Sequence, residues 1–173
     1  MPYHVFETDL GWVGVRGRAG DSGGEPVCEA VTMGHATAAG AATVAAGEPA
    51  GDWHPALADA VARFAAGEPV DLSRFPVPAP PTRFARRVVA ELRRVPRGET
   101  VSYQQLAARA GSVGAARAVG GVMRTNRVPL LVPCHRVVGA GGRLGGFSAP
   151  TGIDLKKRLL ALEAAPGARL PFD

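Results

Sequence analysis

The sequence predicts a mixed α/β (α+β) chain of two domains, a small sheet-plus-helix domain followed by a mostly helical one. Three observations carry this reading. Short strand-like segments lie before residue 75, helical periodicity with capping signals lies after residue 82, and a proline-rich stretch between them coincides with a reversal of charge. Pro76-Val77-Pro78-Ala79-Pro80-Pro81 holds too much proline for a helix or a central strand and reads as an extended linker. It separates an N-terminal domain, 1–75, from a C-terminal domain, 82–165, with 166–173 as a tail. Residues 1–81 carry 4 Arg/Lys against 10 Asp/Glu, a net −6, whereas residues 82–173 carry 16 against 5, a net +11. The second half is therefore the candidate binder of a polyanion.

In chain order, Tyr3 to Thr8, Trp12 to Arg16 and Val27 to Met33 read as short strands. They are separated by the turn-prone Asp9-Leu10-Gly11 and Gly20-Asp21-Ser22-Gly23-Gly24. An Ala-rich helix is expected near His35 to Ala46, and a clearer one from Pro55 to Ala66, where Leu57, Val61 and Phe64 share a face and Pro55 suits the first turn. Beyond the linker, Thr82 can cap a helix through about Arg94, with Phe84, Val88 and Leu92 at successive i+4 positions and arginines elsewhere around it. Pro96-Arg97-Gly98 ends that helix. Ser102-Tyr103-Gln104-Gln105 has capping-box spacing and opens a short helix that closes at Gly111, while Ser112 can cap a second, from about Gly114 to Arg124.

The last two helices form a helix-turn-helix whose second member is unusually bare, carrying Ala115, Ala116, Ala118, Gly120 and Gly121 with Arg117 and Arg124. Reading base edges in the major groove requires projecting Arg, Asn or Gln side chains, and most are missing here. Small residues instead permit close approach to the minor groove with little sequence preference. They equally permit tight helix packing inside a protein, and the residues alone leave both readings open.

The 173 residues are 46% hydrophobic, which suits a globular protein. No apolar run approaches bilayer-spanning length, and Met1-Pro2-Tyr3-His4 lacks the pattern of a signal peptide, so a cytoplasmic protein with no membrane partner is expected. Its two cysteines, Cys28 and Cys134, then stand as free thiols, and neither has metal-ligand spacing.

The strongest chemical signal is Pro133-Cys134-His135-Arg136-Val137, inside the apolar run Val128 to Val138. Free cysteine titrates at roughly 8.5, and a nearby base or positive dipole lowers that value. An adjacent imidazole is thus a simple route to a reactive thiolate, with an apolar strand before it to hold the sulfur. The alternative is a buried structural cysteine.

Gly98-Glu99-Thr100-Val101-Ser102-Tyr103, Ala116 to Arg124 and Asn126 to Val138 together resemble the O6-alkylguanine DNA alkyltransferase family, also called methylated-DNA–protein-cysteine methyltransferases. The resemblance runs from about Thr82 to Glu163 and extends upstream only through Phe64-Ala65-Ala66-Gly67. It implies an RNase H-like first domain and a winged helix-turn-helix-like second domain that binds DNA and carries the active-site cysteine.

In that family's pattern, Cys134 is the alkyl acceptor, His135 the base that takes its proton through a water, and Glu163 the carboxylate that orients the imidazole. The bridging water meets a geometric need, because neighbouring side chains on a strand face opposite sides. Asn126 would buttress the active-site turn. Arg117 would enter the duplex in place of an extruded base, and Tyr103 would press the phosphate and give a proton to the guanine ring. Ala115, Ala116, Gly120, Gly121 and Arg124 complete the DNA-binding set. Ser148 would donate to the departing oxygen, carbonyls near Cys134 and Val137 would read the exocyclic amine, and Met123, Val128 and Pro129 would wall the pocket. Phe147 stands where relatives often carry Tyr, and the segment from Ser148 to Asp154 is longer than a compact Gly-rich loop.

The implied activity is stoichiometric transfer of an alkyl group from guanine O6 to the protein's own cysteine, and the sequence leaves open whether thymine O4 is also a donor. No cofactor is implied, and Cys28 lacks a second cysteine, so no structural zinc is expected. The partner is double-stranded DNA containing alkylated guanine, bound by a monomer with no obligate protein partner. Rival readings are a non-catalytic alkyltransferase-like lesion-binding protein, an electrophile-sensing DNA-binding regulator, and a cysteine hydrolase built on Cys134, His135 and Glu163.

Overall fold

The computed structural model describes residues 1–20, 24–45, 48–49, 53–165 and 170. Three strands form from the N-terminal alternation: β1 (Pro2–Thr8), β2 (Gly11–Arg18) and β3 (Val27–His35). β1 and β2 pair antiparallel from Tyr3↔Arg16 to Thr8↔Gly11 across a tight turn, and β3 pairs antiparallel with β2 through two register shifts. A two-residue strand β4 (Glu48–Pro49), too short to show any periodicity, adds parallel to β1, giving the order β3-β2-β1-β4.

Helix α1 (Ala38–Ala45) lies against the first three strands. It starts later than the expected His35, because His35 is still the last residue of β3; Ala46 lies outside the described residues. Helix α2 (Pro55–Ala65) buries Leu57, Ala60, Val61, Phe64 and Ala65, with proline in its first turn. These side chains join Val13, Val15, Val31 and Met33 of the sheet in the core of this part of the chain. Positions 21–23 of the expected turn, and the tail apart from Leu170, also lie outside the described residues.

The second part starts with helix α3 (Arg83–Arg93), where the Thr82 hydroxyl accepts from the Ala85 amide at 3.1 Å and caps the first turn. Ala85, Val88 and Leu92 face inward. Strand β5 (Val101–Ser102) leads into helix α4 (Tyr103–Arg109) through a complete capping box. Ser102 Oγ accepts from the Gln105 amide at 3.1 Å, and Gln105 Oε1 accepts from the Ser102 amide at 2.8 Å. Gly111, at φ +76°, ends that helix in a conformation that costs other residues about 1–2 kcal/mol. Helix α5 (Ala116–Arg124) follows, and α3 packs against both α4 and α5.

Two expectations need correction here. Ser112 does not cap α5 through its side chain; Ala115 holds that position without a side-chain cap, and Ser112 contributes only its carbonyl, which accepts from the Ala115 amide at 3.1 Å. Nor is the apolar run before Cys134 a strand. It turns, with Leu130 at φ +72°. Five of its residues, Val128, Leu130, Leu131, Val132 and Pro133, are buried, so the apolar character reflects burial of a compact turn and not sheet pairing.

The chain forms two compact units. One is Met1–Pro78 with Arg127–Leu131 and Ala149–Thr151; the other is Ala79–Asn126 with Val132–Ser148 and Gly152–Asp173. Segment 127–131 is tied into the first unit where the Val31 amide donates to the Arg127 carbonyl at 2.8 Å. Among the described residues no helix is long and apolar enough to cross a membrane.

Candidate active site

The reactive centre is built by three short pieces of the second unit. A single 3-10 turn, Cys134–Arg136, is closed by the Arg136 amide donating to the Pro133 carbonyl at 2.9 Å. Strand β6 (Val137–Val138) continues from it and pairs parallel with β5, placing Val137 beside Val101 and Val138 beside Ser102. Helix α6 (Ile153–Glu163) ends with its last residue at the turn. Gly98, at φ +80°, makes this approach possible: a Cβ there would stand 3.0 Å from the Glu163 carbonyl oxygen.

His135 is 1% exposed, and its Nε2 lies 3.0 Å from Glu163 Oε1. Arg136 grips the same carboxylate from the other side, Nε to Oε2 at 2.9 Å and Nη2 to Oε1 at 2.7 Å, while its Nη1 donates to the Val95 carbonyl at 2.6 Å. The fork geometry makes this a strong charge-assisted contact. Burial alone would raise the Glu163 carboxyl, but the hydrogen bonds from His135 and Arg136 outweigh it and hold the pKa at about 2. Burial conversely lowers the His135 pKa, against the opposing pull of Glu163, so the ring is neutral near pH 7. A neutral ring facing a carboxylate carries its proton on Nε2, which leaves the Nδ1 lone pair as the basic atom. That Nδ1 is buried and has no hydrogen-bond partner among the described residues.

Cys134 is a free cysteine on a half-buried residue. Desolvation raises its pKa, opposed by the Asn126 side chain, the Lys156 charge and the backbone N–H groups of Cys134 and His135. The imidazole is engaged by Glu163, and the resting sulfur keeps its proton until a base removes it. Asn126 also donates from Nδ2 to the Val132 carbonyl at 2.9 Å, tying the end of α5 to the segment that delivers the cysteine.

Two side chains packed at this turn have no role in the sequence reading. Lys156 is 1% exposed and donates to the Val137 carbonyl at 2.6 Å; desolvation lowers its pKa, while the neighbouring cysteine raises it. Its spacing could have exposed it, since Lys156, Leu160 and Glu163 stand at i, i+4 and i+7 on the buried face of α6. Arg136 lies beside the cysteine in sequence, but nothing local marks it as the partner of a carboxylate on another helix.

Of the other candidates, Tyr103 is half-buried at the start of α4, and its hydroxyl lies 3.1 Å from where a Cβ on Gly145 would stand. Burial and the neighbouring cysteine raise its phenol, which keeps its proton. Arg117 and Arg124 are exposed on α5, and Ala115, Ala116, Gly120 and Gly121 are half-buried, with open space beside Gly121. Met123 is buried, Phe147 half-buried and Ser148 exposed, the last two in an irregular segment. Val128 and Pro129 fall within segment 127–131 of the first unit. Among the described residues no group of three or more His, Cys, Asp or Glu side chains is gathered to hold a metal ion.

The family description "6-O-methylguanine DNA methyltransferase, DNA binding domain" matches residues 83–165. The human methylated-DNA–protein-cysteine methyltransferase is 48% identical over 103 residues, covering 56% of this chain and 49% of that protein. The chain thus spans about half the length of the curated relatives it matches. Across nearly the whole chain, the structure of Mycobacterium tuberculosis OGT in complex with DNA is similar, with a TM-score of 0.72 and 29% identity, covering 94% of this chain and 93% of that one. The M. tuberculosis O6-methylguanine methyltransferase structure is 32% identical with a TM-score of 0.69, covering 99% and 98%. With a relative 32% identical over nearly the whole of both chains and the same two-unit α+β fold, the chain belongs to the O6-methylguanine DNA methyltransferase family.

Proposed function

We propose that this protein repairs DNA by moving an alkyl group from guanine O6 onto its own Cys134 in a single turnover. One observation carries the reading: Glu163 holds His135 Nε2 and leaves a neutral Nδ1, without a hydrogen-bond partner among the described residues, on the residue next to the half-buried Cys134. His135 takes the thiol proton through a water, the sulfur attacks the alkyl carbon as the bond to O6 breaks, and the guanine leaves with a proton. Glu163, held in place by Arg136, stabilises the imidazolium that forms, as the orienting acid of a nucleophile–base–acid triad does. Lys156 offsets the charge that develops on sulfur. The thioether cannot be cleaved by any group here, so each molecule acts once and needs no cofactor.

The target atom lies within the base stack, so the nucleotide must be turned out at an unstacking cost of a few kcal/mol. In this reading α5 docks in the minor groove through Ala115, Ala116, Gly120 and Gly121, Arg124 holds phosphate, and Arg117 fills the space the base leaves. Tyr103, protonated at working pH, gives its proton to the ring. The Val137 carbonyl reads the exocyclic amine with the lone pair that Lys156 leaves free, since a carbonyl oxygen accepts twice. Ser148 donates to O6, Met123, Val128, Pro129 and Phe147 shape the pocket, and the protein works in the cytoplasm as a monomer.

The test is mass spectrometry after incubation with duplex DNA carrying O6-methylguanine. One added methyl should appear on the peptide containing Cys134 and be missing from Cys134→Ser. An unmodified peptide beside intact lesion DNA would show that the protein only binds.

A further inference from the structure

We propose that Arg83 and Arg87 of α3, with Arg109 at the end of α4, form a second strip of contacts to the phosphates of duplex DNA, separate from the contacts made by α5. This deepens the DNA-binding reading of α5 and rests on it. The three guanidinium groups differ from the other arginines near them. Arg94 is paired with Glu91, Arg86 donates to the Pro80 and Pro81 carbonyls, and Arg136 is held by Glu163. Arg83, Arg87 and Arg109 are exposed and have no carboxylate partner among the described residues.

Their placement is specific. With Ala85, Val88 and Leu92 turned inward, Arg83 and Arg87 stand one turn apart on the outward face of α3. Arg87 Nη1 lies 3.4 Å from where a Cβ on Gly111 would stand, so its guanidinium covers the corner between α4 and α5. Arg109 is two residues before that corner, on the last turn of α4. In helix-turn-helix docking, the element ahead of the recognition helix crosses the sugar-phosphate backbone. An unpaired cationic strip at that corner therefore meets the one surface of this partner that is charged throughout. Phosphate contacts fix register without reading sequence, which suits a protein whose recognition helix carries almost no base-reading side chains.

Salt dependence is the test, because each neutralised phosphate contributes about −0.9 to the slope of log K against log salt on B-DNA. Binding of an unmodified duplex would be measured by fluorescence anisotropy across a salt series for the wild-type protein, the Arg83→Gln/Arg87→Gln/Arg109→Gln variant, and Lys157→Gln as a control on exposed α6 surface. The triple variant should make the slope shallower by about 2–3, while Lys157→Gln leaves it unchanged. A wild-type slope in the triple variant, or an equal loss per charge from Lys157→Gln, overturns the strip in favour of a general field. Methyl transfer to Cys134 reports separately. A reduced slope with Cys134 still modified supports both readings, whereas an unchanged slope with Cys134 modified removes the strip and leaves the repair reading standing.

Discussion

Glu163 carries the most consequence of any single residue, because one carboxylate serves the neutral imidazole of His135 and the guanidinium of Arg136. Glu163→Gln keeps the shape but removes the charge that stabilises the imidazolium, and alkyl transfer should slow by about 10²–10⁴-fold, the range general-base catalysis commands. Single-turnover transfer of a labelled methyl group measures this, and an unchanged rate would remove Glu163 from the chemistry. The pH dependence has a definite sign. His135 titrates below its ordinary value and Glu163 at about 2, so for both groups the unfolded chain binds protons more readily. Stability is therefore full above about pH 6.5 and falls with acidification, first as His135 must take a proton and then between the ordinary glutamate range, about 4.3, and pH 2 as the Glu163 pairing is lost. Melting temperatures from pH 8 to 3 should fall only on the acid side, with the limb below pH 6.5 shrinking in His135→Asn. Lys156→Met should shift the alkylation of Cys134 by iodoacetamide to higher pH, because it removes a positive charge that lowers the thiol. At this scale the sequence displays the proposed nucleophile and its neighbour openly, for adjacency is visible in a string. It conceals Arg136 and Lys156, whose roles exist only once α6 returns to the turn.

At the scale of elements, legibility followed local chemistry. The Thr82 cap and the Ser102–Gln105 box are satisfied within three residues, so α3 and α4 could be bounded from the string alone. The apolar run ending at Cys134 has the composition of a strand but is a turn, because burial and sheet pairing select the same side chains and only backbone angles such as that of Leu130 distinguish them. Two substitutions separate an element that merely supports the fold from one that positions the chemistry. Thr82→Ala removes a helix cap and should cost about 1 kcal/mol of stability while leaving the transfer rate of the folded protein intact. Gly98→Ala forces a Cβ into a left-handed position 3.0 Å from the Glu163 carbonyl, so stability and transfer should fall together. Urea denaturation paired with single-turnover transfer distinguishes the cases; a Gly98→Ala variant that is destabilised yet fully active would mean the end of α6 can shift without disturbing the carboxylate.

For the whole molecule, the chain visits the first unit more than once. A proline-rich segment suggests where one unit can be cut from the next, yet 127–131, immediately before the cysteine-bearing stretch, belongs with residues 1–78. The Arg127 carbonyl accepts from β3, and Val128, Leu130 and Leu131 are all buried. No local pattern announces this, because a buried pentapeptide looks the same whichever unit encloses it. A consequence is testable with a fragment of residues 79–173, which keeps Cys134, His135, Glu163, Lys156 and α5 but lacks β3. Without the Val31 amide the Arg127 carbonyl loses its partner, and three apolar side chains lose the unit they fold with; fully burying one such side chain is worth about 1.5–3 kcal/mol. Whole domains are stable by only about 5–15 kcal/mol, so the fragment should unfold without cooperativity and transfer methyl groups far more slowly than the intact chain. Circular dichroism under urea together with the transfer assay decides it. A fragment that melts cooperatively and reacts at the full-length rate would show that the second unit positions its cysteine unaided, and that the first serves some purpose other than holding the segment leading into the active site.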